Sequence, residues 1–84
     1  MITPQLNLNG SSADDLIEPR LKADRLLADV LEALSQAVPH GRDYPGNAVA
    51  CIADREEHYD RIKAIRALQD ILIQEALAIK EQIA

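Results

Sequence analysis

Pro39-His40-Gly41-Arg42-Asp43-Tyr44-Pro45-Gly46-Asn47 is the stretch whose reading decides the fold. Two prolines, two glycines and an asparagine within nine positions break any helix that reaches them. The segments on either side instead repeat apolar residues at three- and four-residue steps. The stretch therefore reverses the chain between two helices, and the expected fold class is all-α, a helical hairpin. A bare reversal needs only Gly, Asn, Asp or Ser. This one also carries His40, Arg42 and Tyr44, groups that can exchange a proton, bind an anion and stack on a ring.

On its N-terminal side, Ala23, Leu26, Leu27, Val30, Leu31, Leu34, Ala37 and Val38 mark one face of a helix, and Arg20, Lys22, Asp24, Arg25, Asp29 and Glu32 fall mainly on the other. That pattern predicts an amphipathic helix. Ser12 and Asp15 have the spacing of a capping box, with Asp in place of Glu. Pro19 complicates the start, because a proline inside a helix loses a hydrogen bond and crowds the preceding turn. The expectation is a capped turn over 12–17, a break near Glu18, and a main helix from Pro19 to about Ala37.

On the C-terminal side, Asn47 after Gly46 is a good N-cap, and no Pro or Gly occurs from Ala48 to Ala84. An unbroken helix of that length is a rod of roughly 50 Å. His58, Ile62, Ile65, Gln69, Leu72, Ala76, Ile79 and Ile83 alternate four- and three-residue steps, the spacing of a heptad seam. Leu68, Ile71, Ile73 and Leu77 lie outside it, so the apolar arc is wider than one neighbouring helix covers. A helix apolar on two faces needs two partners. One is the first helix. The other is expected to be a second copy, met through Ile62, Ile65, Leu72 and Ile79, in a homo-oligomeric helical bundle.

The chain reads as a single domain of 84 residues: an extended arm over 1–11, a first helical region over 12–38, the loop 39–46 and the long helix 47–84. In the arm, Leu6 and Leu8 alternate with Asn7 and Asn9, a pattern that would lay two leucines on a neighbour. A core this small yields only a few kcal/mol of net stability, and such proteins usually add a disulfide, a metal or self-association. With one cysteine and two histidines, neither a disulfide nor a four-ligand zinc set is available, which leaves self-association.

A formal net charge of -5 argues against binding nucleic-acid backbones, which requires surplus Lys and Arg. No signal-peptide pattern opens the chain and no run reaches membrane-spanning length, so a cytoplasmic location without membrane contact is expected.

Basic residues nonetheless cluster locally, with Arg55, Arg61, Lys63 and Arg66 within twelve positions. Arg55, Tyr59, Ile62 and Arg66 share a stripe of the second helix. Two guanidiniums beside a phenol suit a phosphate and a base, although arginines on such a stripe also pair with Asp54, Glu57 or Asp70 in ordinary surface salt bridges. The loop residues His40, Arg42 and Tyr44 lie near the start of the second helix, where free backbone N–H groups favour an anion. The structural alternative is a capped turn with Tyr44 packed on Pro45. His58, on the seam, reads as a buried, hydrogen-bonded histidine, and Cys51 as small-residue packing. No nucleophile–base–orienter set is present, so no enzyme, catalytic residue, metal or cofactor is expected.

The His-Gly-Arg-Asp-Tyr loop at 40–44, the Glu57-His58-Tyr59-Asp60-Arg61 segment and the Ile/Leu-rich tail resemble small phage- and prophage-encoded helical proteins in which such a loop joins a shorter helix to a longer one. Phage proteins of this size often act against host defences. Some are oligomeric sponges for cyclic nucleotide or cyclic ADP-ribose signals, held between subunits; others clamp onto a host protein. The motifs specific to named sponge families are absent here, so the carry-over is an analogy. It implies a non-enzymatic accessory protein sequestering a small phosphate-bearing nucleotide through His40, Arg42, Tyr44, Arg55, Tyr59 and Arg66. The alternative is an inhibitor or adaptor that docks on a host or phage protein through its apolar helix face; a small virion or assembly component is the third.

Overall fold

A computed structural model describes residues 12–82, and these form two α-helices joined by a short turn. Helix α1 spans Ala13–Ser35 and helix α2 spans Ala48–Glu81, with a 3-10 turn at Gly41–Asp43 between them. The arm with Leu6 and Leu8 lies outside the described residues, as does the seam residue Ile83.

The start of α1 follows the sequence. Ser12 Oγ accepts from the Asp15 N–H at 3.2 Å and Asp15 Oδ2 accepts from the Ser12 N–H at 3.3 Å. This closed capping box satisfies two of the donors that a helix start leaves over. The expected break at Glu18 does not occur: α1 runs through Pro19. Pro19 withholds one N–H, from the Asp15 carbonyl, and the turn around it is held by other means. The Arg20 guanidinium donates to the Leu16 carbonyl at 2.7 Å and reaches Glu75 on α2 at 3.5 Å. Leu16 and Ile17 are half-buried. Packing against α2 outweighs a local preference here. The far end frays two residues before Ala37, where the Gln36 and Ala37 N–H groups bond back to Ala33 and Leu34.

Helix α2 begins as expected, with Asn47 Oδ1 accepting from the Ala50 N–H at 3.1 Å. Three polar ties set the antiparallel register. His58 Nε2 lies 2.9 Å from the Leu34 carbonyl, Gln69 Nε2 donates to the Asp24 carbonyl at 3.3 Å, and Arg20 meets Glu75. His58 and Gln69 belong to the heptad seam read in the sequence, so that seam faces α1 of the same chain.

This corrects the assignment of Ile79 to an exposed association seam. Ile79 is fully buried inside the hairpin, and Ile62, Ile65 and Leu72 are half-buried. Among the described residues the buried side chains are Cys51, His58, Ala76 and Ile79, all from α2; α1 contributes none. The radius of gyration is 18.7 Å, against about 12 Å for a globule of this length. The hairpin is a rod with faces left open.

Candidate functional site

The turn carries most of the loop residues that sequence singled out, and it uses them to hold itself. Tyr44 opens a reversal with the pattern of a type II turn: Pro45 follows, Gly46 takes φ +72°, and the Asn47 N–H bonds the Tyr44 carbonyl at 3.0 Å. Positive φ is the reason for glycine at 46. His40 Nδ1 accepts from the Arg42 N–H at 3.1 Å, which fixes the first residue of the 3-10 turn. Arg55 Nε donates to the Pro39 carbonyl at 2.7 Å. The Tyr44 hydroxyl donates to Asp54 Oδ2.

These ties create a cleft of about 440 Å³ lined by Gly41, Tyr44, Gly46, Asn47, Cys51 and Arg55 among others. That volume suits a small molecule. The electrostatics are mixed. Arg55 supplies a cation, but the hydrogen bond to Asp54 pushes the Tyr44 phenol up to about 12, with smaller contributions in the same direction from burial and from the charges of Asp54, Cys51 and Asp43. The phenol resists ionisation chiefly because its proton is held by Asp54.

The six candidates do not form one cluster. His40, Arg42, Tyr44 and Arg55 gather at the turn. Tyr59 stands one turn further along α2, half exposed, with its ring edge-on to His58 at 6.1 Å. Arg66 lies about 16 Å beyond Arg55 along the helix axis, outside the cleft, and is exposed. Asp54 is the residue at the turn that sequence reasoning passed over as a site member. Nothing in its spacing from Tyr44 marks it, since the contact depends on how the turn folds back on α2.

A second feature runs along the hairpin. At the open end Ile17 and Leu21 of α1 share a groove of about 280 Å³ with Ile73 and Leu77 of α2, which shows which flank of one helix lies beside which flank of the other. At about 100° per residue, the opposite flank then carries Ala23, Leu26 and Val30 from α1 and Ala64, Leu68 and Ile71 from α2. Leu26, Val30, Leu68 and Ile71 keep 55%, 43%, 44% and 40% of their surface exposed. This patch is bordered by charge on the α1 side, where Leu26 lines a groove of about 620 Å³ with Lys22, Arg25 and Asp29. It ends at the Glu57–Arg61 ion pair near the turn and at Arg20–Glu75 towards the open end.

The grooved flank differs in kind: Arg55, Tyr59, Arg66 and Asp70 stand along it. Among the described residues no helix is long and apolar enough to cross a membrane. No protein-family model, no curated protein and no solved structure matches this chain.

Proposed function

We propose that this chain is a non-enzymatic binding protein whose working surface is the flank of the hairpin that carries Leu26, Val30, Leu68 and Ile71, and that it acts by helix-to-helix docking. The observation that supports it is the open patch of Leu26, Val30, Leu68 and Ile71 on a chain whose first helix has no buried residue. Contiguous apolar surface rimmed by polar groups is how interaction sites differ from ordinary surface. In the phage setting that the loop resemblance implies, this is the accessory inhibitor, adaptor or assembly role.

A photo-cross-linking amino acid at position 68 tests it in the producing cell, with position 63 on another exposed face as the control. The expected result is protein adducts from 68 and few from 63. Adducts from neither would remove the reading.

The second reading keeps the nucleotide, sequestered at the turn and completed by a neighbouring subunit. It is favoured by the cleft of about 440 Å³ beside Tyr44 and Arg55, and it ranks second because Asp54 already holds the Tyr44 hydroxyl and the Pro39 carbonyl already holds Arg55 Nε. Isothermal titration with cyclic di- and trinucleotides and cyclic ADP-ribose isomers decides it. Heat that Arg55→Ala abolishes supports the cleft; no heat at high protein concentration eliminates it.

A further inference from the structure

Burial along the hairpin is deepest at its two ends. In the middle, Ile62, Ile65 and Leu72 stay half-buried, because two helices side by side leave each seam residue open to a groove. Towards the turn, Cys51 and His58 are buried, and there the loop folds back on α2 through Tyr44 with Asp54 and Pro39 with Arg55. At the open end, Ala76 is buried as well and Ile79 has 0% of its surface exposed. The register that joins Gln69 to Asp24 and Glu75 to Arg20 sets Ile79 level with the first turn of α1, and beyond that level α1 has ended. Among the described residues, no loop lies at this end to do what the turn does at the other.

We infer that the eleven residues preceding Ser12, which lie outside the described residues, fold back as a third layer over the open end. Leu6 and Leu8 then seat in the groove between Ile17 and Leu21 of α1 and Ile73 and Leu77 of α2. The inference concerns the other flank from the one that carries Leu26 and Leu68, so it stands apart from the docking reading.

Reach and spacing fit this occupant. Asn9-Gly10, just before the cap, is a turn pair, and Gly10 supplies the backbone freedom that a reversal onto α1 needs. Four residues from Ser12 back to Leu8 span up to about 13 Å, and six back to Leu6 up to about 20 Å. Ile17 and Leu21 stand only about 8 and 14 Å from Ser12 along α1, which leaves length for the reversal. In an extended segment Leu6 and Leu8 point to the same side about 7 Å apart. Ile17 and Leu21, one turn apart, are separated by about 6 Å. Two leucines thus meet two rungs of the groove.

Chemistry fits as well. Residues 1–11 contain no Asp, Glu, Lys or Arg, in a chain that is 27% charged. The groove is lined by five apolar residues and Lys80, whose ammonium can meet a backbone carbonyl of the incoming segment. Asn7 and Asn9, alternating with the leucines, are left on the water side. A segment tethered beside the groove meets it at an effective concentration of about millimolar, an advantage that no separate partner has.

The test is nuclear Overhauser spectroscopy on the full chain with labelled Ile and Leu methyl groups. Cross-peaks are expected from Leu6 and Leu8 to Ile17, Ile73 and Leu77. A mixture of labelled and unlabelled chains, filtered for contacts between molecules, should show none of them. Hydrogen exchange supplies a second readout. In the double variant Leu6→Ser, Leu8→Ser, the amides of Ala76 and Ile79 should exchange at least about tenfold faster, the scale of uncovering a buried leucine. Those of Ile62 and Ile65 should change less, and Asn7→Ser should change neither group.

Absence of cross-peaks from Leu6 and Leu8 to the groove overturns the inference. Cross-peaks found only between molecules overturn it too, because the occupant is then a second copy. Unaltered exchange at Ala76 and Ile79 in the double variant would mean that α1 alone buries them, which also overturns it. The wild-type spectra decide the matter even if the double variant fails to fold, and either result leaves the cross-linking test at position 68 unaffected.

Discussion

The hairpin has two heptad seams, and they are built differently. The inner one, from His58 to Ile79, includes two polar residues, and each finds a backbone carbonyl on the other helix. The outer one, through Leu26, Val30, Leu68 and Ile71, has no polar member and remains open. A buried polar group requires its partner in place, since leaving it unpaired costs about 1–3 kcal/mol. His58 and Gln69 therefore specify one register for the pairing of α1 with α2. The outer seam is bound by no such requirement and offers apolar area alone. One seam sets the fold, and the other stays exposed.

Several changes would break or sharpen that contrast. Ile79→Asp should have the largest effect, because it leaves a cavity and an unpaired charge where nothing is exposed. A loss of about 4 kcal/mol or more is expected, enough to unfold the chain, whereas charges on the outer seam should spare helix content. Circular dichroism distinguishes the two; an Ile79→Asp chain with native helicity would mean that the inner seam is not the core.

Pro19→Ala should act in the opposite direction. It restores the amide that the Asp15 carbonyl lacks and removes the ring from a helix interior, and a gain of about 1–3 kcal/mol is expected. Urea unfolding measures it. An unchanged midpoint would show that the chain already accommodates the proline without strain.

His58→Ala should cost about 1–3 kcal/mol, with the loss read from thermal melts. It tests whether the polar members of the inner seam hold the register: a variant of unchanged stability would reduce the seam to apolar packing alone.

The smallest effect concerns the turn that aligns both seams. Ultraviolet titration should show Tyr44 ionising near pH 12 rather than 10, and Asp54→Asn should bring it back towards the ordinary value. Because the folded value is raised, the stability contributed by this phenol is fully present below about pH 10. It is lost as pH rises through 12. A Tyr44 that titrates normally in the wild type would mean that the hydroxyl does not hold Asp54 in solution.

Much of this architecture was legible in the residues. The turn between Pro39 and Asn47, the capping box at Ser12, the N-cap at Asn47 and the heptad spacing from His58 to Ile79 all follow from local chemistry and spacing, although that spacing was expected to meet a second copy and instead faces α1. The break at Pro19 was not. Local preference argues for it, and against it stand the bond from Arg20 to the Leu16 carbonyl within α1 and the contact from Arg20 to Glu75, the second of which exists only once α2 is in place. The candidate site was legible in part. Tyr44 and Arg55 line one cleft at the turn that His40 and Arg42 do not line, and a linear stripe could not reveal that Asp54 takes the Tyr44 hydroxyl or that the Pro39 carbonyl takes Arg55 Nε.

By itself the sequence determined the two helix caps at Ser12 and Asn47, where the chain reverses and which residues alternate at heptad spacing. These are properties of neighbours within a few positions, governed by capping, φ preference and helical period. It also determined that the apolar arc of α2 is too wide for one partner. Only the tertiary structure decided which seam closes on the chain itself and which stays open. That choice depends on which side chains find partners across the pair: His58 and Gln69 reach carbonyls of α1, and the seam that satisfies polar groups becomes the inner one. The rows of Leu26, Val30, Leu68 and Ile71 merge into one surface only when the two helices lie side by side.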